Sequence, residues 1–83
     1  MTTFAIRNRG SIRALSEATG WTVDDTRTVL CRDVREATGW RSLTPNEEHV
    51  QLRESAELLR VLALHGAVAN DFMPDRAEYR EAA

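Results

Sequence analysis

Leu15-Ser16-Glu17-Ala18-Thr19-Gly20-Trp21-Thr22-Val23-Asp24-Asp25-Thr26-Arg27-Thr28-Val29-Leu30 decides the fold, because two amphipathic segments meet within it at a glycine corner. Ile12, Leu15 and Ala18 fall at helical spacing with Arg13, Ser16 and Glu17 between them, which predicts a helix over 11–19 that buries one stripe. Gly20 ends it, since glycine enters the left-handed backbone region without a Cβ penalty, and Trp21 is expected to fold back over the preceding turn. Thr22 then reads as the N-cap of a second helix, 22–38, with Asp24 and Asp25 at its positive end. In that helix Val23, Thr26, Leu30 and Ala37 share one stripe with Val29 and Val34 flanking it. Asp24, Arg27, Thr28, Cys31 and Arg35 are expected mostly outside.

These residues resemble the helix-turn-helix of the lactose-repressor type of bacterial regulator. That pattern runs apolar, small, polar, any, small, Gly, apolar, Ser/Thr, then a polar helix ending in two apolar residues. Leu15, Ser16, Glu17, Ala18, Thr19, Gly20, Trp21 and Thr22, and finally Val29 and Leu30, fill those places. The likeness covers residues 15–30 and differs at three points. Thr26 stands where the family prefers an apolar β-branched residue, Trp21 is large for the corner, and Asp24 and Asp25 open the helix that would read DNA. The resemblance implies duplex DNA as partner, with the helix from Thr22 in the major groove. Arg27, Thr28, Val23 and Asp24 would then reach base edges, while Arg13, Arg32 and Arg35 approach phosphates. An aspartate can accept from a cytosine amino group, but it opposes the electrostatic attraction that dominates affinity.

Around this segment, 83 residues make one small domain with little stability to spare, so dimerisation would help. It divides into an arm or short strand over 1–10, the helix-turn-helix region 11–42, and a long helix with a short C-terminal helix over 43–83. No apolar run is long enough to span a bilayer, and Met1 to Gly10 does not read as a signal peptide, so a cytoplasmic protein is expected. The single cysteine, Cys31, excludes an intramolecular disulfide and a cysteine-based metal cage, and is expected to be a packed or idle thiol. All eleven basic residues are arginine. From Met1 to Ser42 seven arginines face five acids, and from Leu43 onward four face eight, so the proposed reading head is mildly basic and the remainder acidic.

Glu36-Ala37-Thr38-Gly39-Trp40 repeats Glu17-Ala18-Thr19-Gly20-Trp21 letter for letter, one helix stop used twice. Both tryptophans are expected in core or cap packing. Thr44-Pro45-Asn46-Glu47 then opens the longest helix, 45–65, with a capping box and a proline at the first helical position. Leu52, Ser55, Ala56, Leu59, Leu62 and Ala63 form its buried stripe, and Arg53, Glu57 and Arg60 form the opposite one, with i, i+3 and i, i+4 ion pairing available. Leu58, Val61, Leu62 and Leu64 make its last turns apolar on nearly every side, so this end is either central core or a homodimer seam. Gly66 stops the helix, Ala67 to Met73 reads as a loop or half-turn, and Pro74 starts a weaker helix over 74–81 anchored by Tyr79. Thr3-Phe4-Ala5-Ile6 reads as a short strand or an arm laid on the core.

The expected fold is all-α, a three- to four-helix domain containing a helix-turn-helix. No catalytic, metal-binding or cofactor-binding constellation is visible. His49 and His65 lie far beyond the i, i+4 spacing of a shared metal, and Glu47 and Glu48 occupy a first helical turn. The resemblance implies a DNA-binding regulator, and with no catalytic constellation in the sequence an enzyme is not expected. The other reading is a small acidic module, an anti-activator or phage-type inhibitor that occupies a host protein.

Overall fold

The computed structural model describes residues 8–73. The Thr3–Ile6 segment and the helix expected over 74–81 lie outside them. Three helices form: α1 (Arg9–Thr19), α2 (Val23–Ala37) and α3 (Pro45–Leu64), followed by a 3₁₀ turn (Ala69–Phe72) in the stretch read as a loop or half-turn. Each helix packs against the other two, and the 3₁₀ turn packs against α2. There is no strand among the described residues, so the all-α reading holds.

Local chemistry sets the boundaries. Gly20 adopts φ 82° and its amide donates to the Ser16 carbonyl at 2.9 Å, closing α1. Thr22 caps α2 by accepting from the Asp25 amide, and Thr44 and Glu47 close a reciprocal capping box on α3. The ends fall within one or two residues of those predicted. α1 starts earlier, at Arg9, without a side-chain cap from Asn8.

The core joins Ile12 and Leu15 of α1, Val29, Leu30 and Val34 of α2, Leu52 and Leu59 of α3, and Ala69 of the 3₁₀ turn. Several expected stripe positions are corrected. On α1 the buried polar residue is Ser16, while Ala18 faces solvent. At 100° per residue positions 16 and 18 both fall just outside the arc from Ile12 to Leu15, and the elements packed on α1 cover the first and not the second. On α2 Val23 and Ala37 are exposed because they sit at the helix ends, beyond the elements that cover its middle. Cys31, placed outside by periodicity, is buried. α2 is covered by α1, α3 and the 3₁₀ turn together, so its buried arc is wider than one amphipathic stripe. On α3 Leu52, Ser55 and Leu59 are buried and Ala56, Leu62 and Ala63 half-buried, as the spacing requires.

Candidate functional site

The corner between α1 and α2 is built from hydroxyl groups. Ser16 donates its Oγ hydrogen to the Trp21 carbonyl at 2.7 Å, and Thr19 Oγ1 accepts from the Trp21 amide at 3.2 Å while donating to the Leu15 carbonyl at 2.9 Å. Thr26 is fully buried and donates to the Thr22 carbonyl at 2.8 Å. A hydroxyl thus stands where an apolar β-branched side chain was expected, and it is satisfied within its own helix. Trp21 is half-buried, with its ring 5.8 Å from that of Phe72 and tilted by 52°. A large residue fits this corner because the 3₁₀ turn brings an aromatic ring to meet it.

Past the corner, the first two turns of α2 bring Val23, Asp24, Arg27 and the half-buried Thr28 together at the surface. Val23 is half exposed, and Arg27 forms a short ion pair with Asp24 one turn back. The Thr28 hydroxyl donates to the Asp24 carbonyl at 3.1 Å. Arg13 lies separately, on the exposed side of α1. Arg32 and Arg35 are at the far end of α2 and half-buried, with Arg32 Nε 3.1 Å from Glu36 Oε1. Of the arginines expected to face phosphate, Arg32 is therefore engaged by a carboxylate, and both Arg32 and Arg35 lie over an aromatic ring.

That ring is Trp40. It was expected in core or cap packing, yet it is 57% exposed, with the Arg32 and Arg35 guanidinium carbons 5.8 and 5.9 Å from its centroid. α2 ends in a two-bond loop, Gly39 N–H to the Glu36 carbonyl at 3.3 Å and Trp40 N–H to the Arg35 carbonyl at 2.8 Å. Gly39 has φ 68° and Trp40 φ 65°, the one non-glycine residue with positive φ among those described. A side chain held there costs roughly 1–2 kcal/mol. No protein-family model, curated protein or solved structure matches the chain. The repeated pentapeptide accordingly ends two helices in two ways. Five residues before Trp21 stands Ser16, which draws that carbonyl inward; five before Trp40 stands Arg35, which offers only a long cation over the indole face.

The other exposed feature is the outer face of α3. Leu58, Val61 and Leu64 are exposed as a seam requires, whereas Leu62 is half-buried. Val50, not singled out from sequence, is 55% exposed. Val50, Glu54, Glu57, Val61 and Leu64 recur at alternating steps of four and three, so the stripe has apolar ends and an acidic middle. Arg60 reaches into it, 2.6 Å from Glu57. Among the described residues no group of three or more His, Cys, Asp or Glu side chains is placed to hold a metal ion, and no helix is long and apolar enough to cross a membrane.

Proposed function

We propose that the protein is a small helix-turn-helix DNA-binding regulator, a binding module and not an enzyme, working in the cytoplasm. One observation carries this reading: past the left-handed Gly20 corner, the first two turns of the Thr22-capped α2 present Val23, Asp24, Arg27 and the half-buried Thr28 at the surface. In this reading α2 enters the major groove, Thr28 and Val23 meet base edges, and Arg27 exchanges the Asp24 carboxylate for a guanine edge. Arg13, Arg32 and Arg35 serve the phosphates. Exposed ion pairs are worth about 0–1 kcal/mol, so opening Arg27–Asp24 is a small penalty beside a bidentate base contact of ~1–3 kcal/mol.

Duplex titration over a range of salt tests it. Affinity should fall linearly with the logarithm of salt, and Arg27→Ala should weaken a selected sequence by ~1–3 kcal/mol while Arg35→Ala weakens selected and random duplexes alike. Equal, negligible effects of both changes would exclude this role for the helix pair.

A second reading is favoured by the same ion pairs. Asp24–Arg27 and Arg32–Glu36 neutralise cations that a DNA binder would spend on phosphate, as suits an anti-activator or phage-type inhibitor that occupies a host protein. Such a module of net charge −2 would retain no duplex at ordinary ionic strength. Either form is proposed to self-associate as a homodimer through the exposed face of α3.

A further inference from the structure

We infer that Trp40 is a positioning residue, which holds the Arg32 and Arg35 guanidinium groups against the sugar-phosphate backbone of duplex DNA. The inference rests on the DNA-binding reading of α2 and adds to it a second contact, at the opposite end of the helix from the reading head. Asp24, Thr28, Arg32 and Arg35 follow one another at i, i+4, i+8 and i+11, so they share one side of α2. Thr28 and Arg35 are separated by roughly 10 Å of helix rise, comparable to the ~12 Å width of the major groove. A helix seated with Thr28 over base edges therefore carries Arg35, and Trp40 after it, to the groove wall where the phosphates lie.

Three features of the Trp40 turn fit this task better than helix capping. Gly39 and the two terminal backbone hydrogen bonds already complete the cap. The indole is more than half exposed and outside the core cluster, so its side chain does little for burial. Its backbone nevertheless stays in the left-handed region, where glycine would rest without strain. Two guanidinium groups lie over the ring at cation–π distance, and that attraction restricts side chains that would otherwise lose their freedom only on binding. Glu36 on Arg32 and Glu47 on Arg41 temper the local positive charge. Ordering of the cations, more than their number, is what this end of α2 offers a phosphate.

The test compares wild type with Trp40→Phe, Trp40→Ala and Trp40→Gly, using a mixed-sequence duplex of about 24 base pairs at several salt concentrations from ~50 mM upward. Thermal unfolding is followed in parallel. Trp40→Ala and Trp40→Gly should bind about 10-fold more weakly with a shallower salt slope, and Trp40→Phe should recover most of both. Trp40→Gly should melt at the wild-type temperature or above it, a gain of fold with a loss of binding that a capping role would not produce. Duplex binding by wild type that all three variants match, in affinity and in slope, overturns the inference and leaves the DNA-binding reading standing. If wild type binds no duplex at ~50 mM salt, both fall. Trp40-dependent binding of an oligoglutamate peptide of about twelve residues, without duplex binding, would likewise overturn it and assign the arginine-flanked indole to an acidic polypeptide.

Discussion

Two buried hydroxyl groups, on Ser16 and Thr26, do different work. The Thr22 carbonyl accepts from the Thr26 amide at 2.9 Å as well as from its hydroxyl, so the side-chain bond is a second one to an oxygen already satisfied. Thr26→Val keeps shape, leaves no orphan and should be neutral or stabilising by up to ~0.5 kcal/mol in urea unfolding. Ser16→Ala instead removes the donor that holds the Trp21 carbonyl, and should cost about 1–2 kcal/mol in the same assay. Cys31 is a third case. Burial pushes its thiol pKa up against the downward pull of Arg35, so a disulfide reagent at mildly alkaline pH should modify it only as the protein unfolds. Fast modification of the native protein would contradict the burial. Neither Ser16 nor Cys31 could be read from periodicity, because each is buried by where neighbouring elements close over its helix and not by its own hydrophobicity.

Among the elements, α3 was the most legible, since its start depends on chemistry confined to four residues. Thr44, Pro45 and Glu47 define it without reference to the rest of the molecule. The Thr44 amide and the Arg41 guanidinium beside it hold the Glu47 carboxyl below the usual carboxylate range. A lowered folded-state pKa contributes stability above the unfolded value, about 4.3, and that contribution is lost as pH falls through the folded value. The melting temperature of wild type should therefore drop more between neutral and acidic pH than that of Glu47→Gln, which retains the cap but does not titrate. Parallel pH profiles would show that the cap carries no charge-dependent part. The two glycine-tryptophan stops mark the limit of local reading. Glycine's left-handed turn was predictable at both, but the direction of each tryptophan depends on a residue five positions back, and that of Trp21 also on the 3₁₀ turn, which the sequence offered as a loop or half-turn.

For the whole molecule, the fold class followed from three amphipathic segments with strong end signals, while the binding surface did not follow, because helical spacing says which residues are outside and not which engage each other. The Arg27–Asp24 pair and the Trp40 stack emerge only from side-chain placement. Leu30, fully buried where the helices meet, tests the packing: Leu30→Ala should cost about 2–5 kcal/mol in denaturant unfolding, enough to unfold much of a domain this small. Self-association is a separate matter. An antiparallel pairing of two α3 helices about a centre between Ser55 and Ala56 places Val50 of each copy opposite Val61 of the other, with Glu54 opposite Glu57 at the middle and Arg53 and Arg60 beside them to offset the like charges. Leu58 is half exposed, so Leu58→Glu should leave circular dichroism unchanged and convert a dimer into a monomer in sedimentation at micromolar concentration. Monomeric wild type would rule out the seam.

The contrast between the two tryptophans has an optical consequence. Trp21, screened by Phe72 and the corner, and Trp40, more than half exposed beside two arginines, should emit at different wavelengths and answer differently to charged quenchers. Iodide, an anion drawn to the guanidinium groups, should extinguish the redder Trp40 emission first, while caesium, repelled by the same groups, should leave it bright. The chain thus carries two intrinsic lamps, one reporting on the closed corner and the other on whatever approaches the far end of α2.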